Sequence, residues 1–105
     1  DGYFDMIFEF DHIHIWQQEK EGQLDVLKLK HALSAWQTSL DGIGWNALYM
    51  ENHDVPRAVS VFGDTRPEFW AMSAKAIAMM YFFLQGTPFI YQGQEIGMTN
   101  VRFDS

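Results

Sequence analysis

The chain alternates between short apolar runs and amphipathic stretches. Tyr3 to Phe10 is aromatic and bulky, with Met6-Ile7-Phe8 unbroken, which predicts a strand buried on both faces. Asp11-His12-Ile13-His14 follows, then a polar stretch from Gln17 to Gln23. From Leu24 the period changes. Val26, Leu29, Leu33, Trp36 and Leu40 fall on one face of a helix, and Lys28 and Lys30 on others. Asp41-Gly42 is its stop signal, because glycine takes the left-handed conformation without a steric penalty. Trp45 to Met50 predicts a second strand. The chain beyond Val61 reads as a loop up to Thr65 and Glu68, which stand at capping-box spacing. Pro67 lies in the first turn, where a missing N–H is harmless. Phe69, Met72 or Ser73, Ile77, Met80, Tyr81 and Leu84 continue a long, largely buried helix that Gly86 ends and Pro88 cannot extend. Phe89-Ile90-Tyr91 is the third predicted strand, and the chain from Ile96 reads as a loop.

The predicted order is β-α-β-α-β, an α/β fold. Strands separated by helices of this length are expected to be parallel and joined by right-handed crossovers. Parallel α/β architectures place their ligand sites at the carboxyl ends of the strands. Asp11 and His12, then Glu51 to Arg57, then Gln92, Gln94 and Glu95 follow the three strands. The opposite ends carry only Asp41-Gly42-Ile43-Gly44 and Gln85-Gly86-Thr87. A polar site is therefore expected on the first face. Gly42-Ile43-Gly44 follows a helix, the wrong end for a dinucleotide fingerprint.

Composition narrows the class. With 48% hydrophobic and 20% charged residues, the chain is globular rather than a disordered acidic tail. Seven Lys and Arg against fourteen Asp and Glu give a net charge of −7, with no basic stripe, so neither nucleic acid nor an anionic membrane is the expected partner. There is no cysteine, hence no disulfide and no thiolate chemistry, which fits a cytoplasmic location. The N-terminal residues do not read as a signal peptide. The longest apolar run, Ala76 to Leu84, falls well short of the roughly 18 residues needed to span a bilayer. An aromatic content of 16% over 105 residues is more bulk than a small domain readily hides, and the chain starts at Asp1 without an initiator Met. A piece of a larger domain is expected, with open sheet edges that favour self-association in isolation.

Asn52-His53-Asp54 is the sharpest chemical feature. An amide, an imidazole and a carboxylate at a strand end can share one pocket. Asp54 could stabilise a developing cation or hold a pair of sugar hydroxyls, and His53 could donate to another. The same residues are also ordinary in turns. Arg57, able to pair with Asp54 or with a ligand, tilts the balance toward function. His12 and His14 form a His-x-His pair. Without cysteine or a clear third ligand, a pocket-lining or capping role for His12 is expected over metal binding, and no metal or cofactor is predicted. Glu51 is expected as a hydrogen-bond partner of neighbouring loops. Gln92, Gln94 and Glu95 fit either a polyol site or a hydrogen-bonded turn.

Glu51-Asn52-His53-Asp54-Val55-Pro56-Arg57 resembles the Asn-His-Asp-x-Pro-Arg segment of glycoside hydrolase family 13, in its oligo-1,6-glucosidase, dextran glucosidase and α-glucosidase branch. Met6 to His12 is similar to that branch's strand ending in Phe-x-Phe-x-His. Trp36-Gln37 and Gly44-Trp45-Asn46 also have counterparts there, and Gly86 to Asn100 is close to its pattern throughout. The resemblance implies a partial (β/α)8 TIM barrel covering the sixth, seventh and eighth strands, with residues 1–105 forming the C-terminal part of the catalytic barrel domain. It implies that Asp54 is the third catalytic carboxylate, binding the 2- and 3-hydroxyls of the sugar at the cleavage point and stabilising the transition state. His53 would bond a hydroxyl of the same sugar, and Asn52, Arg57 and His12 would complete the substrate-binding set. The implied reaction is retaining hydrolysis of α-1,6 or α-1,4 glucosidic bonds in short oligosaccharides. The nucleophile and acid/base would sit at the ends of the fourth and fifth strands, upstream of Asp1, and neither Glu9 nor Glu51 matches them. The alternative is a non-catalytic family 13-like scaffold or partner subunit. The presence of His53, Asp54 and Arg57 together argues against it. A free-standing doubly wound binding domain would need a Gly-rich turn after a strand, which the chain lacks.

Overall fold

The computed structural model describes residues 4–18 and 24–103. Three strands, β1 (Met6–Phe8), β2 (Trp45–Leu48) and β3 (Thr87–Pro88), form a parallel sheet in the order β1-β2-β3. Met6 to Phe8 pair with Trp45 to Ala47, and Ala47 and Leu48 pair with Thr87 and Pro88. Four helices connect them: α1 (Asp11–Gln18), α2 (Val26–Leu40), α3 (Ala58–Phe62) and α4 (Pro67–Phe82). A 3-10 turn covers Gln94–Ile96. The parallel arrangement agrees with the sequence expectation. Each crossover carries two helices, however, so the order is β-α-α-β-α-α-β.

The two additional helices are short and lack a visible helical period. Asp11-His12-Ile13-His14-Ile15 alternates like a strand, yet α1 buries the adjacent His12 and Ile13 together with Ile15. Glu9 starts it by accepting the Asp11 backbone N–H at 2.7 Å. The expected polar linker falls partly in residues 19–23, outside the described residues. The α3 helix spans only five residues, Ala-Val-Ser-Val-Phe, too few to display a period. Its first N–H, from Ala58, goes to the Glu51 carboxylate at 2.6 Å.

The long helices form where expected, with different caps. Asp25 caps α2 by accepting from the N–H groups of Leu27 and Lys28 at 3.0 and 3.1 Å. Leu29 is buried and Leu33, Trp36 and Leu40 are half-buried, but Val26, in the first turn, is exposed. The Thr65–Glu68 capping box does not form. Arg66 is the N-cap residue of α4, and Asp64 Oδ1 takes its N–H at 3.0 Å. Pro67 opens α4 as predicted. The largely buried α4 of the sequence reading is mostly exposed. It packs through one face, where Ile77, Met80 and Tyr81 join Leu48, Met50 and Ala58 in the core, while Met72 and Met79 reach solvent. The expected double-faced burial of β1 also fails, with Phe8 48% exposed, because none of the described helices packs extensively on its faces.

The third strand lies two residues earlier than expected. Gly86 accounts for the shift: its φ is +154°, and a Cβ there would stand 2.4 Å from the Asn46 carbonyl oxygen and 2.7 Å from Leu48 Cγ. The backbone meets β2 at that point, Thr87 and Pro88 pair with it, and the Phe89 N–H to Leu48 carbonyl bond at 2.7 Å completes the ladder. Gln37 holds the approach to β3 from α2, exchanging two 2.8 Å hydrogen bonds with the Gln85 backbone.

Candidate active site at the carboxyl ends of the strands

All three strands run the same way, so the segments after them emerge on one side of the sheet. After β2 the residues Tyr49, Met50 and Glu51 are buried, and the chain then turns outward. Asn52 makes that turn: its side-chain oxygen accepts the Asp54 N–H at 2.8 Å, and its carbonyl accepts from Val55 at 3.4 Å. The turn projects His53 and Asp54 into solvent with side chains 77% and 76% exposed and Nε2 of His53 3.2 Å from Oδ2 of Asp54. An accessible carboxylate beside an imidazole can receive and donate hydrogen bonds to neighbouring hydroxyls.

Arg57 closes the same loop but faces elsewhere. The sequence reading allowed it to pair with Asp54 or a ligand. In the structure it pairs with Glu51, Nη1 donating to Oε1 at 2.9 Å. Nη1 also donates to the Gln92 carbonyl at 2.6 Å, Nη2 to Met98 Sδ at 3.0 Å, and the guanidinium lies 5.1 Å from the Tyr91 ring centroid. Its backbone N–H goes to Asn100 Oδ1 at 2.8 Å. Glu51 is therefore a structural carboxylate, as expected for a partner of neighbouring loops. One oxygen holds Arg57 and the other holds the first N–H of α3.

The segment after β1 makes a buried polar cluster. His12 is fully buried and its Nδ1 bonds Glu9 Oε1, while its ring meets Tyr49 edge-on at 4.9 Å. The burial of His12 against Glu9 fits the capping role weighed for it in the sequence. The Tyr49 phenol is buried without a hydrogen-bond partner. Burial, and then the neighbouring Glu9 carboxylate, hold it well above its ordinary value of 10.0. Tyr49 had no signal in the sequence beyond its place at a strand end.

The segment after β3 folds into the hydrogen-bonded turn that was one of its two expected states. Gln94 accepts from the Tyr91 N–H at 3.0 Å and donates to the Tyr81 hydroxyl at 2.6 Å, and Glu95 accepts from Gly93 N–H at 2.9 Å. Between this turn and α4 lies a cleft of about 420 Å³ walled by Trp70, Ala74, Tyr81, Ile96 and Met98. It is mostly apolar, and neither His53 nor Asp54 lines it, so the exposed loop and this cleft are separate features. Among the described residues, no three His, Asp or Glu side chains are grouped to hold a metal ion, and no helix is long and apolar enough to cross a membrane.

Comparison with known proteins agrees with the α/β fold. The alpha-amylase catalytic-domain family matches residues 3–105. Probable oligo-1,6-glucosidase 3 of Bacillus subtilis strain 168 is 56% identical over 104 residues, covering 99% of this chain and 19% of that protein. Palatinase of Erwinia rhapontici is 48% identical over 103 residues, covering 93% of this chain and 18% of its own length. The crystal structure of Bacillus licheniformis trehalose-6-phosphate hydrolase superposes with a TM-score of 0.85 at 47% identity, over 96% of this chain and 19% of that one. The chain thus spans about a fifth of the length of the curated relatives it matches. A match that runs through nearly every residue, and a backbone shared with a solved relative, make the chain a member of the alpha-amylase catalytic-domain family, glycoside hydrolase family 13.

Proposed function

We propose that residues 1–105 are the C-terminal part of the catalytic (β/α)8 barrel of a retaining α-glucosidase acting on short oligosaccharides. In this reading β1, β2 and β3 are the sixth, seventh and eighth barrel strands. The observation that carries it is the Asn52-turned loop at the carboxyl end of β2, which presents Asp54 and His53 together in a chain belonging to this family. Relatives named oligo-1,6-glucosidase support the substrate class. A cytoplasmic location is part of the same proposal and rests on the cysteine-free sequence.

Retaining hydrolysis needs a carboxylate nucleophile and an acid/base roughly 5–5.5 Å apart. The nucleophile attacks the anomeric carbon while the acid protonates the departing oxygen; water then releases the sugar with the second carboxylate acting as base. Both groups belong to upstream parts of the full-length protein. Glu9 is engaged with His12 and the Asp11 N–H, and Glu51 with Arg57 and the Ala58 N–H, so neither is free to attack. Asp54 accepts hydrogen bonds from two adjacent hydroxyls of the sugar, and its negative charge stabilises the cationic ring of the transition state. His53 contacts a hydroxyl of the same ring, and Asn52 holds the loop.

Asp54→Asn in the full-length protein keeps the shape and removes the charge. Turnover of p-nitrophenyl α-glucoside is expected to fall by about 10²–10⁴-fold, the range for a positioned catalytic group. Turnover near the wild-type value would overturn the assignment.

A further inference from the structure

Asp54 projects from a short loop whose two ends are fixed differently. The near end is held within the loop, by Asn52 Oδ1 on the Asp54 N–H at 2.8 Å. The far end is held from outside, by Arg57. Its guanidinium fork spans from Glu51, directly after β2, to the Gln92 carbonyl and Met98 sulfur, both beyond β3. Its backbone N–H reaches Asn100. The segment that carries the acceptors beyond β3 is itself anchored. Trp70 on α4 donates to the Gly97 carbonyl at 2.7 Å, Gln94 donates to Tyr81 at 2.6 Å, and the Asn100 N–H goes to Ser60 on α3 at 2.9 Å. Arg57 is thus the joint between a rigid platform, made of α3, α4 and the turn after β3, and the loop that carries the exposed carboxylate.

We infer that Arg57 is a positioning residue for Asp54: by pinning the loop to the segment after β3, it sets where the carboxylate meets the sugar's adjacent hydroxyls, without itself touching substrate. This inference rests on the reading of Asp54 given above. A guanidinium is suited to the task because its planar fork can bond several acceptors at fixed angles, which an ammonium cannot. Without it, the loop keeps its internal Asn52 turn and the Arg57 backbone N–H bond to Asn100, but loses the side-chain bonds that tie it to Glu51, Gln92 and Met98. A displacement of about 1 Å at a reacting group can cost on the order of 10²-fold in rate.

The test separates misplacement of Asp54 from general damage by using two substrates. p-Nitrophenyl α-glucoside offers both hydroxyls, and its 2-deoxy analogue offers one fewer. In the full-length protein, Arg57→Ala is expected to lower kcat on the glucoside by about 10–10²-fold with a smaller change in KM, and to lower kcat on the 2-deoxy analogue by clearly less. Equal loss on both substrates in a variant that still melts as a folded protein, or no loss on either, would overturn the inference. Arg57→Lys, which keeps a charge against Glu51 but not the fork, is expected to show the same selective loss. It carries the comparison if the alanine variant does not fold. Asp54→Asn measured alongside distinguishes the two levels. If it leaves both rates near wild type, the functional reading falls. If it abolishes the preference for the 2-hydroxyl while the Arg57 variants lose both substrates equally, only the role of Arg57 falls.

Discussion

Arg57 Nη1 stands 2.9 Å from Oε1 of Glu51, and the Glu51 side chain is buried. A buried carboxylate is stable only with its hydrogen bonds made, and here both oxygens are used: one on the guanidinium, the other on the first N–H of α3. Glu51→Ala removes the carboxylate partner of the Ala58 N–H and leaves Arg57 Nη1 with the Gln92 carbonyl alone. In the full-length protein it is expected to destabilise the fold by about 2–4 kcal/mol, read as a lower urea midpoint. The Asp64–Arg66 pair, bonded by Arg66 Nε to Asp64 Oδ1 at 3.0 Å, lies on the surface, where water and salt screen it. Asp64→Ala, which removes this screened pair and the bond to the Arg66 N–H, is expected to shift the same midpoint by clearly less. Equal shifts for the two variants would contradict this ranking.

Gly86 gives a second, backbone-level prediction. It has a φ no L side chain readily adopts, and a Cβ would sit 2.4 Å from a carbonyl oxygen of the neighbouring strand. The obstacle is backbone in a paired strand, which cannot swing aside. Gly86→Ala in the full-length protein is expected to cost about 2–4 kcal/mol through overpacking and strain, and to loosen β3 from β2. Hydrogen exchange at the Phe89 N–H, which bonds Leu48, should accelerate; protection unchanged at that amide would show that the ladder accommodates the methyl group.

The parallel sheet and the two long helices were legible because they carry long-range periodicity: Leu29, Leu33, Trp36 and Leu40 on α2, and Ile77, Met80, Tyr81 and Leu84 at the end of α4. The α1 helix was not, since His12-Ile13-His14-Ile15 has the two-residue period of a strand and its helical start is set by the Glu9 side chain. The missing capping box also turns on where a helix starts. Thr65 and Glu68 have the right spacing, but α4 starts one residue later, with Arg66 as its N-cap, so the pair does not fall on the positions a capping box needs. At the site, Asn52, His53 and Asp54 could be singled out by residue type. The partner of Arg57 could not, because Glu51 and Asp54 are both carboxylates within reach along the chain. The choice depends on the buried direction of the strand end, which is a three-dimensional property. The fate of His12 was hidden for the same reason.

The buried Tyr49 phenol predicts a stability loss in alkali. Its folded-state pKa is raised above the ordinary 10.0, by burial first and by Glu9 second. Folding therefore favours the protonated phenol. The unfolded chain releases its proton near pH 10 while the folded one retains it, so stability is intact below pH 10 and falls as pH rises above it. Tyr81 adds in the same direction, because burial outweighs the opposing hydrogen bond from Gln94. Tyr49→Phe in the full-length protein should make the decline above pH 10 shallower, while leaving the slope near neutrality alone. Identical slopes for the variant and the wild type would show that Tyr49 ionises in the native state as freely as in the unfolded one.

The 105-residue chain on its own is expected to be catalytically silent and sticky. Asp54 and His53 can bind hydroxyls, but neither can replace the attacking carboxylate and the proton donor of a double displacement, and Glu9 and Glu51 are committed to structural bonds. No release of p-nitrophenol from the α-glucoside should be detectable with the purified chain. Its surface points the same way. Phe83 is 82% exposed and Phe103 89%, and Phe4, Ile43 and Val101 are also exposed. Among the described residues the sheet has three strands, with β1 and β3 at its two edges. Open parallel edges flanked by aromatic side chains favour association with further copies. Light scattering on the purified chain should report oligomers that grow with concentration. A monodisperse monomer would show that these exposed rings and edges are masked in solution, and a measurable glucosidase rate would show that the division of catalytic carboxylates between this segment and the rest of the protein is wrong.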